Sequence, residues 1–255
     1  MAGDSRNLIE RIADHYREEI SSGRLKTGDT LPPEQDIADK HGVSRGTVRQ
    51  ALALLTNEGL LTSGRGRGRQ VRGYDLLVWE PGTFEHKDQR GDHAGTHRDA
   101  WRADVAAQGR EGSQRVEPGF TQAPDFVAER LDVEPGAAVA VRRRVRLVDG
   151  VPYQLADSYY PRDIAEGTPI VEPGDLTIPG GLLAAVGHEQ VRYRDELRAR
   201  MPTKDEATRL NLMAGTPITQ HLRTGFDKEG RPVRVIQTIV PGDRHVIVYD
   251  VSATE

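Results

Sequence analysis

The chain has 255 residues, 36% hydrophobic and 29% charged, which is long enough for two compact cores and ordinary in composition for a globular protein. No stretch approaches the roughly 18 apolar residues of a membrane helix, the opening MAGDSRNLIERI has neither a basic n-region nor an apolar h-region, and a cytoplasmic protein is the expectation. The lack of cysteine excludes disulfides, thiolate metal sites and a cysteine nucleophile, while the net charge of −4 divides into +2 over residues 1–73 and −6 over residues 74–255.

Leu8, Ile12, Tyr16 and Ile20 recur every four residues, with Ile9 and Ala13 beside them, and predict a first helix over 8–22 that Gly23 ends. Thr27 to Pro32 reads as a turn, Pro33 and Glu34 suit the first turn of a second helix, and His41-Gly42-Val43 separates it from a third. Ser44 is the N-cap of that third helix, whose Val48, Ala51, Leu52 and Leu55 fall at i, i+3, i+4 and i+7 on one buried face. This is the spacing of a helix-turn-helix. The outward face carries Arg45, Gly46 and Arg49, with Thr47 near the amino end, so guanidiniums able to take guanine O6 and N7 project where a recognition helix enters the major groove. Ser44, Thr47 and the helix N-terminus suit phosphate. Strands near 60–62 and 70–71 flank Gly64-Arg65-Gly66-Arg67-Gly68-Arg69, a wing whose arginines and glycines fit the DNA backbone or minor groove. Taken singly, the Gly-Arg run also fits a flexible basic loop, and Arg45 with Arg49 a solvated helix face.

Residues 73–118 are rich in Gly, Asp, His and Arg and predict a linker, a weak strand at 76–79 and exposed loops. His86, His93 and His97 lie near Asp92 and Asp99, but at no tight ligand spacing, so no metal site is expected. Beyond residue 125 the chain repeats itself. Leu131, Val133, Gly136, Val139 and Arg144 are echoed 79 residues later by Leu210, Leu212, Gly215, Ile218 and Arg223. Each copy reads helix, strand, turn, strand, with turns at Asp149-Gly150 and Lys228-Glu229-Gly230, and Thr203 to Glu206 forms a capping box. A duplicated unit of this kind implies an α+β domain, a pseudo-symmetric antiparallel sheet with helices on one face. Arg142, Arg144 and Arg146 alternate with apolar residues and share a face. The readings that stand are a pocket for a carboxylate or phosphate, a solvated face, or, if the hairpin register is simple, a cross-strand pair of Arg142 with Asp157.

Residues 8–72 resemble the DNA-binding domain of the GntR family of bacterial regulators, through LPPEQDIADKHGVSRGTVRQAL and NEGLLTSGRGRGRQV. The resemblance implies that Arg45, Thr47 and Arg49 contact operator bases and phosphates, Gln35 the backbone at the start of helix two, and Gly66 with Arg67 the minor groove; Gly46 stands where a bulkier residue is frequent. Residues from about 76 to 250 resemble the UTRA effector domain of the HutC branch, which shares its fold with chorismate lyase, through RVRLVDGVPYQLADSYYP, ARMPTKDEATRLNLMAGTPI and GRPVRVIQTIVPGDRH. In members that bind aminosugar phosphates an Arg-x-Arg pair holds the phosphate, and Arg144 and Arg146 occupy those places. Ala156 and Arg234 stand where such members have glutamates, and Val240 where a tyrosine is frequent, which argues against an aminosugar phosphate and leaves another anion open.

The layout expected is a winged helix-turn-helix over 1–73, a linker and first strand over 74–85, and an effector-binding and dimerisation domain over 86–255. Arg142, Arg144, Arg146 and Arg223 are the candidate effector residues. The partners expected are a palindromic double-stranded operator, a small anionic effector and a second copy of the chain, with no cofactor, metal or membrane. A lyase-like enzyme is the weaker reading, because no P-loop, HExxH, GxSxG or GxGxxG signature is present. An effector-independent plasmid-maintenance or architectural DNA binder is the alternative.

Overall fold

The computed structural model describes residues 2–62, 68–73, 76–82, 100–174, 176, 178, 181–213 and 215–251, with side chains from residue 8 and excepting that of residue 100. The chain divides into two compact units, Met1–Asp75 with Leu212–Thr216, and Leu76–Asn211 with Pro217–Glu255.

In the first unit α1 (Ala2–Ser21), α2 (Glu34–His41) and α3 (Arg45–Asn57) surround a core of Ile12, Ala13, Tyr16, Ile37, Val48, Ala51, Leu52, Leu55, Leu61 and Val71. The first helix starts six residues before the apolar periodicity does. Gly42 ends α2 in the left-handed region at φ 63°, its amide returning to Ala38 and Asp39 carbonyls, which is why glycine closes the turn. Arg17 of α1 and Glu58 after α3 form a two-pronged ion pair, Nε to Oε2 at 2.8 Å and Nη2 to Oε1 at 2.6 Å. In place of the strands expected near 60–62 and 70–71, the described residues show isolated bridges. Thr30 bridges Gln70 and Leu61 bridges Val71, both antiparallel, so the chain before α2 and the chain after α3 close one small ladder.

The second unit is built on a six-stranded antiparallel sheet in the order β2-β3-β4-β7-β6-β5, namely β2 (Gly112–Gln122), β3 (Ala138–Val148), β4 (Val151–Pro161), β5 (Arg192–Arg200), β6 (Ile218–Phe226) and β7 (Pro232–Pro241). A separate parallel pair joins β1 (Leu77–Trp79) to β8 (His245–Ile247). The repeat is longer than its sequence echo shows: β2, α5 (Asp125–Leu131), β3 and β4 form one copy, and β5, α8 (Lys204–Arg209), β6 and β7 the other. A pseudo-twofold therefore falls between β4 and β7, the strands that join the copies in register Asp157 to Gln237. The backbone obeys it in detail. Asp132 and Asn211 are non-glycine residues at φ 54° and 49°, and Gly136 and Gly215 follow at 78° and 79°. The β3–β4 turn Asp149-Gly150 has φ 50° and 77°, the two positive values that the tight hairpin requires.

One sheet face buries α5 through Val127, Ala128 and Leu131 against Val139, Val141, Tyr159 and Val235. The other face is not bare. Ala140 and Tyr160 pack with α6 (Arg162–Ala165), the 3-10 turn Pro169–Val171 and α7 (Leu182–Ala185), while Val148 and Tyr153 pack with Leu77 and α4 (Ala100–Ala107) through Trp101 and Val105. Arg142, Arg144 and Arg146 sit between these two apolar ends, on the even-numbered face of β3. The expectation of linker and loops over 73–118 is corrected here, since α4 and β2 fall within or begin within it. β2 is an edge strand, where Pro118 leaves no ladder hydrogen bond unmade.

Candidate DNA-contacting surface and effector site

The N-terminus of α3 is shaped by Ser44, whose Oγ accepts the Thr47 amide at 3.1 Å and lies 2.9 Å from Thr47 Oγ1. Arg45, Gly46 and Arg49 are exposed beside it. Arg49 reaches Glu34 of α2 at 3.3 Å from both Nε and Nη2, yet its side chain stays 62% exposed, so this is a loose surface contact. A methyl group added at Gly46 would meet only Ser44 Oγ at 3.5 Å, so internal packing does not demand glycine there. Gln35 donates to Asp39 within α2 at 2.8 Å. Gly66 and Arg67 lie outside the described residues. Arg69, grouped with the wing arginines by sequence, is structural: Nη1 donates to Thr56 Oγ1 at 2.7 Å and to the Leu52 carbonyl at 3.2 Å. Glu34 had no local signal, because its partner Arg49 lies a full helix away.

The sheet brings Arg142, Arg144 and Arg146 together and treats them differently. Arg142 is 1% exposed and holds the turn after α6, donating from Nη1 to the carbonyls of Ile170 at 2.9 Å and Glu172 at 2.8 Å and from Nη2 to that of Gly174 at 2.6 Å. It does not pair with Asp157: the register sets Arg142 opposite Ser158, and Asp157 belongs to the other face. Arg146 donates to Gln154 Oε1 at 3.0 Å and lies 5.2 Å from the Trp101 ring. Arg144 donates to Ser158 Oγ at 3.1 Å, and among the described residues no carboxylate lies within ion-pair distance of it. Arg223, on β6, is closed by Asp195, Nε to Oδ1 and Nη2 to Oδ2 both at 2.6 Å, and also donates to the Pro81 carbonyl at 2.6 Å.

The field around Arg144 is positive. Burial works to raise the Tyr160 phenol, but Arg234, Arg144, a hydrogen bond with Ser158 and Arg142 together hold it below its ordinary value. Tyr160, Ser158 and Arg234 thus join the site; only the β4–β7 pairing brings β7 beside β4, and sequence spacing does not reveal that neighbourhood. On the opposite face a recess of about 190 Å³ under α8 is lined by Asp157, Asp205 and Glu206 among others, and burial raises the Asp157 carboxyl. Arg209 also lines it, but the three carboxylates outnumber that one cation, which disfavours anions. Among the described residues no group of three metal-ligating side chains occurs, and His86, His93 and His97 lie outside them.

A helix-turn-helix with exposed arginines, followed by a separate sheet domain with a positive interior face, defines a two-domain regulator of transcription. Comparison with known proteins agrees: the model of the gntR family of bacterial regulatory proteins matches residues 8–71, and that of the UTRA domain matches residues 107–246. The chain belongs to the GntR family, among the members that carry a UTRA domain. It is similar to the HTH-type transcriptional regulator GgaR of Escherichia coli (strain K12), 26% identical over 98% of this chain and 93% of that protein. An uncharacterized HTH-type transcriptional regulator of Rhizobium meliloti (strain 1021) is 32% identical over 93% and 92%. The HTH-type transcriptional repressor NagR of Bacillus subtilis (strain 168) is 26% identical over 95% and 93%. A crystal structure of a GntR-family transcriptional regulator matches with a TM-score of 0.66 at 26% identity, covering 97% of this chain and 98% of that one. PhnF from Mycobacterium smegmatis shares the fold, with a TM-score of 0.56 at 23% identity over 95% and 100%. Among the described residues no helix is long and apolar enough to cross a membrane.

Proposed function

We propose that this regulator is a repressor that holds a palindromic operator as a homodimer and is released by a small anionic effector, with no enzymatic activity of its own. The reading of DNA rests on α3: Arg45, Gly46, Thr47 and Arg49 face outward from a helix whose other side is fully buried, with Ser44 fixing its first turn, and Gln35, Gly66 and Arg67 complete the contact. Similarity to the repressor NagR supports the direction of control. Operator occupancy would block polymerase, and phosphate contacts would make affinity strongly salt-dependent.

The observation that carries the effector reading is Arg144, a half-buried guanidinium with a hydroxyl partner and no carboxylate among the described residues, in a positive neighbourhood that includes Arg142 and Arg234, with Arg146 next along the same face of β3. Such a group favours a bound carboxylate or phosphate. Arg223, the fourth expected contact, is neutralised by Asp195 and serves the site less directly. The effector shifts DNA affinity only if it binds the released and bound conformations unequally. Footprinting on the intergenic DNA beside its own gene, with light scattering of the free protein, tests the first half: a protected inverted repeat and a dimer are expected. An unprotected region bound only as weakly as random DNA would overturn it.

A further inference from the structure

The two repeats treat the same arginine in opposite ways. Arg144 and Arg223 are equivalent by the 79-residue offset, and so are the edge-strand residues directly across from them, Val116 on β2 and Asp195 on β5. Cross-strand partners share a face with Cβ atoms about 4.5–5.5 Å apart, so each edge residue is within side-chain reach of its arginine. In the second repeat that reach is filled. Asp195 takes both prongs of Arg223 and accepts the Tyr249 hydroxyl at 3.2 Å, and His221 Nε2 lies 3.2 Å from it. In the first repeat the corresponding residue is an aliphatic valine, half-buried, and Arg144 turns to Ser158. Arg223, at 5% exposure, requires a counter-anion, since an uncompensated guanidinium there would bear its full desolvation penalty.

We infer that Asp195 is a resident anion, occupying in the second repeat the place that the effector's acid group takes in the first, over Val116 and against Arg144, so that each chain binds one anionic group rather than two. This rests on the effector reading above and adds to it the position and the stoichiometry. Val116→Asp would then build into the first repeat the same pair that closes the second, and the protein would carry its own ligand.

The full-length protein is followed by thermal melting in an anion-poor buffer while inorganic phosphate or acetate is added. Wild type and Val116→Asn are expected to rise in Tm with anion concentration, and Val116→Asp to respond at least about tenfold more weakly. A wild type indifferent to both anions overturns the effector reading itself. A Val116→Asp protein that folds and responds like wild type overturns the inference alone. Should Val116→Asp fail to fold, Asp195→Ala decides: a stability loss restored by acetate, and not restored when Arg223→Met is added, supports the resident anion, whereas no restoration by acetate contradicts it.

Discussion

Arg69 reaches from the wing back to Thr56 of α3 at 2.7 Å, so an arginine embedded in a Gly-Arg run fastens the recognition helix rather than facing outward. With its second bond to the Leu52 carbonyl it satisfies acceptors on the half-buried flank of α3. Arg69→Ala should therefore lower the stability of the DNA-binding unit by about 1–2 kcal/mol. Denaturant unfolding of that unit measures it, and an unchanged midpoint would show the contact to be incidental.

Arg49 belongs to the opposite class. Its contact with Glu34 is loose and exposed, so Arg49→Ala should leave melting unchanged while weakening specific operator binding by about 1–3 kcal/mol. Arg67→Ala should instead lower affinity evenly across sequences and reduce the salt slope by about one. Anisotropy titrations on operator and scrambled DNA at several salt concentrations separate the two, and an Arg49→Ala protein binding operator like wild type would remove α3 from base readout.

His245 gives the effector unit a pH dependence. Burial pushes its imidazole down to about 3, although its ring nitrogen lies 3.3 Å from the Pro241 carbonyl, with Arg244 and Arg110 adding repulsion to the charged form. The unfolded chain binds the proton near pH 6.5 and the folded chain does not, so stability falls as pH drops below that value, by about 1.4 kcal/mol per unit. Roughly 2 kcal/mol should be lost between pH 6.5 and 5 on this account, and His245→Asn should flatten that part of the profile. Asp195 acts in a different window. Burial works to raise it, but Arg223 and His221 hold it below the carboxylate range, so its contribution is present above about pH 4 and lost in stronger acid.

The parts legible in the sequence are those where one residue's environment is set by its near neighbours. The α3 face of Val48, Ala51, Leu52 and Leu55, the Ser44 cap and the Thr203 capping box follow from local spacing, and all appear as expected. The repeat was visible in its inner strands because they alternate between a core and a polar face. Its outer strands were not: β2 carries Gly112, Pro118 and Gly119, and β5 reads Arg-Tyr-Arg-Asp-Glu-Leu-Arg-Ala-Arg, because an edge strand with little buried surface imposes no apolar period. The site divides the same way. The arginine alternation on β3 was readable, whereas Asp195 beside Arg223 and Arg234 near Tyr160 depend on which strands become neighbours.

On the proposed mechanism, an acid group bound to Arg144 releases the operator. Operator affinity of wild type and Arg144→Gln should be measured by anisotropy across a panel of phosphorylated and carboxylated metabolites. At least one acid is expected to weaken wild-type binding about tenfold or more while leaving Arg144→Gln on the DNA, a coupling of about 1.4 kcal/mol or above. A panel with no effect on wild type, or an effective acid that releases Arg144→Gln equally well, would contradict it.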